Sequence, residues 1–186
     1  MRPTITMRMK TSDEALAQAA AAGDREAFDL LIRRHYDRIY RFAWRLTGTQ
    51  HDAEDLAHDI LAALPQKLRN YRGEAKFTTW AYRVTMNAAT DRARKAQSHA
   101  KASEGWAEDY QRRAAEDEDA AAAQDWLGTA MRALPQELRE TVALTLGEDL
   151  TQKETAEVMG LSEGTIAWRM SEVKRHLRDM AEKEAI

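Results

Sequence analysis

The chain contains no cysteine, only three prolines and eight glycines. The missing thiols exclude a disulfide scaffold, a thiolate metal site and a cysteine nucleophile, and they suit a reducing compartment. Valine, isoleucine and threonine never alternate with polar residues over a strand's length, so no sheet pattern is present. No apolar run approaches the roughly 20 residues that span a bilayer. The basic start, MRPTITMRMKTSDEA, has no apolar signal core, which reads as a cytoplasmic protein without membrane insertion. No histidine arrangement or glycine loop forms a catalytic constellation, so no catalytic residue, metal or cofactor is assigned.

What remains is 186 residues, 44% hydrophobic and 32% charged, rich in alanine, leucine, glutamate and arginine. That is an all-α composition with enough apolar surface for one or two small cores. The net charge of −3 conceals a segregation. Residues 24–101 carry fifteen basic and ten acidic side chains, a balance of roughly +5, whereas residues 102–126 come to roughly −6. A basic body, an acidic connector and a second body describe the chain better than its total.

Helix signals divide it accordingly. Ser12 caps a short helix stopped by Gly23, and Asp24 caps a long one that ends at Gly48. A third helix starts near Asp52, and Pro65 lies inside it and should kink it. Thr78 or Thr79 caps a fourth. From about Ser98 to Gln124 the apolar pattern fails, and AAEDEDAAAAQ reads as an acidic flexible linker with Trp106 and Tyr110 as isolated aromatics. Order resumes at Asp125. The expected layout is residues 1–97, a linker at 98–124, and a second domain at 125–186.

The second domain carries the clearest motif. TQKE, Thr151 to Glu154, is a capping box. Gly160 stops its helix, Ser162 caps the next, and Ile166, Met170, Val173 and Leu177 form an inward stripe. This is the helix-turn-helix pattern. Gly164 and Thr165 lie at the helix start, where backbone N–H groups attract phosphate. Trp168, Arg169, Ser171, Glu172, Lys174 and Arg175 occupy the other faces. Glu172 and Arg175 suit base contacts, Arg169 and Lys174 phosphate contacts. An amphipathic hairpin with a solvated basic face is the alternative.

In the first domain, DAEDLAHDI sets Asp52, Asp55 and Asp59 along one line of a helix, with Glu54 beside them and Leu56 and Ile60 on a neighbouring line. This is either a well-capped solvated face or a docking surface for a basic helix. YRGEAKFTTWAYR interleaves Tyr71, Phe77 and Trp80 with Arg72, Lys76 and Arg83, and Arg92 and Arg94 follow. Aromatics among cations suit unpaired nucleic acid, with bases stacked on rings. Trp80 reads as core on composition, and Phe77 is open to either role.

DAEDL, FTTWAYR, the LP before the second domain and the GT opening the final helix, in this order over about Gly23 to Arg178, resemble the bacterial RNA polymerase sigma factors of the extracytoplasmic-function group. The resemblance implies a region 2 domain, a linker and a region 4 domain. Asp52, Glu54, Asp55, Leu56, Asp59 and Ile60 would meet core polymerase, with contacts to the β′ clamp coiled coil and the β subunit. Tyr71, Arg72, Lys76, Phe77, Trp80, Arg83, Asn87, Arg92 and Arg94 would bind and open the minus-ten element of promoter DNA. The final helix would read the minus-thirty-five element. An anti-sigma partner and a stress or envelope response are also implied. The sequence departs from the family pattern at Pro65, at Ala167 and Trp168, and at Ser171 and Glu172. A stand-alone helix-turn-helix regulator is the rival reading.

Overall fold

The computed structural model describes residues 11–102 and 125–184. Among them are eight α-helices in two sets of four and no strand. Helix α1 spans Asp13–Ala21, α2 Arg25–Thr47, α3 Gln50–Leu68 and α4 Phe77–Ala102. Helix α5 spans Asp125–Ala133, α6 Gln136–Val142, α7 Gln152–Met159 and α8 Glu163–Glu184.

Local chemistry sets most boundaries. Ser12 and Asp24 accept from the backbone N–H groups of Ala15 and Ala27 and so start α1 and α2. Gly48 ends α2 at φ 80°, a conformation that costs a residue with a Cβ. The cap of α3 is Thr49, three residues before the expected start, and its hydroxyl accepts from Asp52 N–H. Helix α3 carries on through Pro65 to Leu68 without the bond that Pro65 cannot donate to Leu61.

Neither Thr78 nor Thr79 caps α4, which begins one residue earlier, at Phe77. Its first N–H is taken by a distant group instead: Phe77 N–H donates to Glu14 Oε1 of α1 at 3.2 Å. A carboxylate there also meets the positive end of the helix. The helix runs to Ala102, beyond the expected linker boundary at 98. The remainder of that linker, with Trp106 and Tyr110, lies outside the described residues.

The first set closes on Leu16, Leu31, Ile39, Leu56, Ile60, Leu64, Leu68 and Phe77, all buried. Each such side chain contributes about 1.5–3 kcal/mol by leaving water. His35 is also buried and satisfied, with Nε2 2.8 Å from Asp13 Oδ2 and its ring 4.9 Å from Phe77.

In the second set, Thr151 and Glu154 form the expected capping box of α7, Gly160 ends it at φ 67°, and Ser162 accepts from Thr165 N–H to start α8. Ile166 and Val173 are buried, whereas Met170 and Leu177 are half-buried at the edges. After α6 the chain widens into a π-helical turn over Ala143–Gly147. The wider turn breaks the 3.6-residue phase, and Leu146, which continues the i, i+4 spacing of the buried Leu138 and Val142, is 66% exposed.

The two sets pack together. Helices α5 and α6 and the π-helical turn lie on α2, and α7 lies on α4. One apolar cluster joins Phe42, Leu46 and Tyr82 to Met131, Leu134, Leu138 and Val142. At its edge sits Glu148, whose side chain is 5% exposed and paired with Arg45 at 2.6 Å. The Tyr82 hydroxyl donates to Glu148 at 2.7 Å. Burial, and then that bond to a carboxylate, hold the Tyr82 phenol above its ordinary pKa.

Candidate polymerase and nucleic-acid interface

Three surfaces collect the residues singled out in the sequence. The first is the outer face of α3. Asp52, Asp55 and Asp59 stand in one line, as their spacing requires. Asp59 is exposed, Asp52 and Asp55 are half-buried, and all three have a partner within the chain. Arg92 reaches across from α4, with 2.8 Å to Asp55, 3.4 Å to Asp52 and 3.5 Å to Asp59. The hydrogen bond from Arg92 holds the Asp55 carboxyl below the ordinary carboxylate range. Glu54 points elsewhere and accepts from Gln50 at 2.9 Å. Leu56 and Ile60 are each 1% exposed. They are core residues that orient the acidic line, which corrects the expectation that they touch a partner.

The second surface is α4 and the loop before it. Of the two aromatics, Phe77, open to either role in the sequence, is the core residue, and Trp80, core on composition, is not fully buried. Phe77 is 0% exposed, wedged among His35, Tyr71 and Trp80. Tyr71 is buried too, and its hydroxyl donates to the Ala75 carbonyl at 2.7 Å. Neither ring is free to stack on a base. Trp80, read as core, is only half-buried and forms the outward edge of this ring cluster, 5.4 Å from Tyr71. Phe77 lies at the first turn of α4, where the helix meets α1 and the base of the core. Trp80 is one turn further, where the face opens. From Trp80 onward, Arg83, Asn87 and Arg94 recur at helical spacing and are exposed, with Arg72 and Lys76 in the preceding loop. Arg92 lies about 120° around the helix from Trp80, on the α3 side. The structure therefore sets it apart from the face that carries Trp80, Arg83 and Arg94, against Asp52, Asp55 and Asp59.

The third surface is the helix-turn-helix of α7 and α8. Gly164 is exposed and has open space where a Cβ would stand, with Ser162 Oγ nearest at 3.8 Å. Thr165 shares a hydrogen bond with Ser162 Oγ at 2.9 Å. Trp168 is 60% exposed. Ser171, Lys174, Arg175 and Arg178 are exposed beyond it. Ser171 donates to the Ala167 carbonyl one turn back, at 3.1 Å. Glu172 pairs with Arg175 at 2.6 Å, and that bond holds Glu172 below its ordinary pKa. Arg169, expected to hold phosphate, is turned inward. Its side chain is 13% exposed and bonded to Glu137 of α6 at 3.1 Å. It ties α8 to α6 because its position adjoins the buried stripe.

The sequence reading missed the contacts between the two sets, including Glu148, Arg45 and Arg38. Nothing periodic marks them, since they join residues about a hundred positions apart. Among the described residues no group of three or more His, Asp or Glu is arranged to hold a metal, and no helix is long and apolar enough to cross a membrane.

Comparison with known proteins agrees with this layout. Residues 31–99 match the family Sigma-70 region 2, and residues 124–177 match Sigma-70, region 4. The chain is 34% identical to the ECF RNA polymerase sigma factor SigE of Mycolicibacterium smegmatis, over 95% of this chain and 72% of that protein. It is 32% identical to the ECF RNA polymerase sigma factor SigM of Mycobacterium tuberculosis, over 91% of this chain and 85% of the relative. In fold it resembles CnrH, solved in complex with the cytosolic domain of CnrY, with a TM-score of 0.70 at 23% identity over 93% of this chain and 99% of that one. With both family regions matched in order and relatives above 30% identity along nearly the whole chain, this protein belongs to the ECF RNA polymerase sigma factors.

Proposed function

We propose that the chain binds core RNA polymerase through the acidic line of α3, opens the minus-ten element with the outward face of α4, and reads the minus-thirty-five element with α8. Sigma factors direct where a polymerase starts and are not enzymes by themselves. The observation that carries the assignment is the separation of chemistries. Carboxylates without an accompanying aromatic line α3. A half-exposed tryptophan with arginines and an asparagine lines α4. A glycine-opened helix start with an exposed tryptophan and cations forms α8. The first suits a basic protein partner, and the other two suit nucleic acid.

On this reading Asp52, Asp55 and Asp59 meet the basic coiled coil of the β′ clamp. Trp80 offers a ring to an unpaired base, with Arg72, Lys76, Arg83 and Arg94 along the backbone and Asn87 among them. Gly164 and Thr165 receive a phosphate at the N-terminus of α8, while Trp168, Ser171, Lys174 and Arg175 enter the groove. CnrH was solved with the cytosolic domain of CnrY, and the sigma factor RpoE of Bartonella quintana with the anti-sigma factor NepR. A partner of that kind, a cytoplasmic location and a stress or envelope response are part of the proposal.

In vitro transcription with core polymerase on genomic templates tests it. Discrete start sites that require this chain support it, and the absence of any chain-dependent transcript overturns it. A helix-turn-helix regulator acting without polymerase would leave the acidic line of α3 without a role. It would also bind duplex DNA tightly on its own.

A further inference from the structure

We infer that the acidic line of α3 is a pH-sensitive docking surface: His51 and His58 stand on its crest, and their protonation weakens its hold on a basic partner. The inference rests on the reading of α3 as the polymerase contact.

The two histidines are seven residues apart, which in an α-helix sets them on one line about 10.5 Å apart along the axis. The buried residues of α3 include Ala53, Leu56, Ala57, Ile60 and Leu64. At about 100° per residue their mean direction lies opposite the two histidines. His51 and His58 are accordingly exposed. They stand furthest from the core, whereas Asp52, Asp55 and Asp59 lean toward α4 and Arg92. A helix that approaches the carboxylates from solvent therefore meets both imidazoles.

The rings are electrically coupled to the line they overlook. His51 Nε2 is 3.8 Å from Asp55 Oδ2, with the two side chains 61% and 44% exposed. The hydrogen bond from Arg92 is the main cause that holds the Asp55 carboxyl low, against an opposing effect of burial, and the charges of His51 and His58 add to it. The other groups around the pair are Asp52, Glu54 and Asp59 on α3 itself and Arg92 of α4. From α2 comes Tyr40, its phenol raised by burial and then by Glu54. Arg132 of α5 lies just before the start of α3, bonded to the Gly48 carbonyl at 2.7 Å. The acids of α1 are engaged elsewhere, Asp13 with Arg34 and His35 and Glu14 with the Phe77 N–H. His51 is also the second residue of α3, where the helix dipole disfavours a cation.

At neutral pH, Asp52, Glu54, Asp55 and Asp59 are opposed by Arg92 alone. Histidine changes its charge between about pH 5 and 8. Two histidinium ions would set three cations against four anions within about two turns of helix. A basic partner is drawn to the first arrangement far more than to the second. The cations of a bound partner in turn disfavour protonated imidazole, so binding releases protons and affinity falls with pH through the histidine range.

The test titrates the full chain onto core polymerase at about pH 7.5 and about pH 5.8, either side of the ordinary histidine range. The parent is expected to bind about fivefold less tightly at the lower pH, a loss that shrinks in high salt. His51→Gln with His58→Gln should remove most of that loss. His51→Lys with His58→Lys fixes the charge and should bind weakly at both. Circular dichroism at each pH separates this from acid loosening around the buried His35, which all three proteins share. A parent indifferent to acid overturns the inference, as does a Gln double variant as acid-sensitive as the parent. A folded Lys double variant that binds like the parent at the higher pH overturns it too. A lysine-rich helical peptide is titrated in parallel, its site checked by changing Asp52, Asp55 and Asp59 to Asn. If the peptide shows the histidine-dependent loss while core polymerase does not bind at all, the pH-sensitive surface stands and the polymerase reading falls. If neither binds at either pH, both fall.

Discussion

Arg92 Nη2 stands 2.8 Å from Asp55 Oδ2, so a cation of α4 occupies the acidic line of α3 that a basic polymerase helix would have to meet. On the proposed reading the two compete for the same oxygens. Arg92→Ala is therefore expected to leave core binding equal or stronger, although it removes a tie between α3 and α4. That tie is a partly exposed ion pair, and its loss should cost no more than about 1 kcal/mol of stability. Titration of core polymerase with parent and variant, beside urea unfolding, checks both halves. Core affinity lowered in Arg92→Ala would mean that Arg92 positions the carboxylates for the partner.

Changing Asp52, Asp55 and Asp59 together to Asn should weaken core binding by at least tenfold with the helical fold retained. Asn keeps the shape and removes the charge. Pull-down with core polymerase and circular dichroism decide it, and undiminished binding by the folded triple variant would count against the acidic line as the contact.

Phe77 and Trp80 should separate stability from function. Phe77→Ala empties a fully buried site and is expected to cost about 3–5 kcal/mol of folding stability. Trp80→Ala should cost far less stability and weaken promoter opening more than closed-complex formation, since a base reaches a ring only after leaving the duplex, where stacking contributes about 1–3 kcal/mol. Permanganate reactivity of unpaired thymines reports the opening. Equal footprints for Trp80→Ala and parent would remove that residue from the opened complex.

On α8, Lys174→Ala should lower binding to all promoters alike, as loss of a phosphate contact does. Glu172→Ala frees Arg175 from its 2.6 Å pair and should relax preference at one or two upstream positions. Arg169→Ala should act through stability, because its partner is Glu137 and not DNA. Selection from a promoter library with each variant separates the three. A preference shifted by Lys174→Ala and untouched by Glu172→Ala would mean a different docking of α8.

Acid should loosen the first domain in two stages. Burial first, despite the neighbouring Asp13, holds His35 below its ordinary 6.5. The unfolded chain then binds the proton more readily than the native one, so stability falls as pH drops through 6.5 toward the native value. Burial pushes the Asp13 carboxyl up, but the Arg34 hydrogen bond and His35 outweigh it and leave it below 3.8. Its contribution is present above 3.8 and is lost as pH falls through the native value. Thermal unfolding against pH should show both losses, and His35→Gln should remove the first. A melting temperature flat between pH 7 and 5 in the parent would exclude the His35 stage.

What was legible in the sequence was local. Ser12, Asp24, the Thr151–Glu154 box, Gly48 and Gly160 each declare a helix end within a few residues of themselves, and the structure uses each of them. The acidic line of α3 and the helix-turn-helix follow from the 3.6-residue period. Phe77 stayed open, and Trp80 read as core, because periodicity ranks faces by polarity, and both are apolar. Which one turns inward is decided by His35 and Glu14, far along the chain. The pairing of Arg169 and Arg92 was likewise not legible, since their partners Glu137 and Asp55 lie on other helices.

The bond from Phe77 N–H to Glu14 bears on where the first domain can be cut. The family match begins at residue 31, yet the group that starts α4 lies in α1, outside it. A fragment trimmed to the family boundary would keep the acidic line of α3 and the exposed face of α4 and still lose the start of α4. It would also remove Leu16 and Ala17 and so uncover the core they close. Limited proteolysis that removes α1 should therefore act at a distance, unwinding the turn that aims Trp80, so that a scissile bond near Gly23 becomes a control point for a surface it never touches.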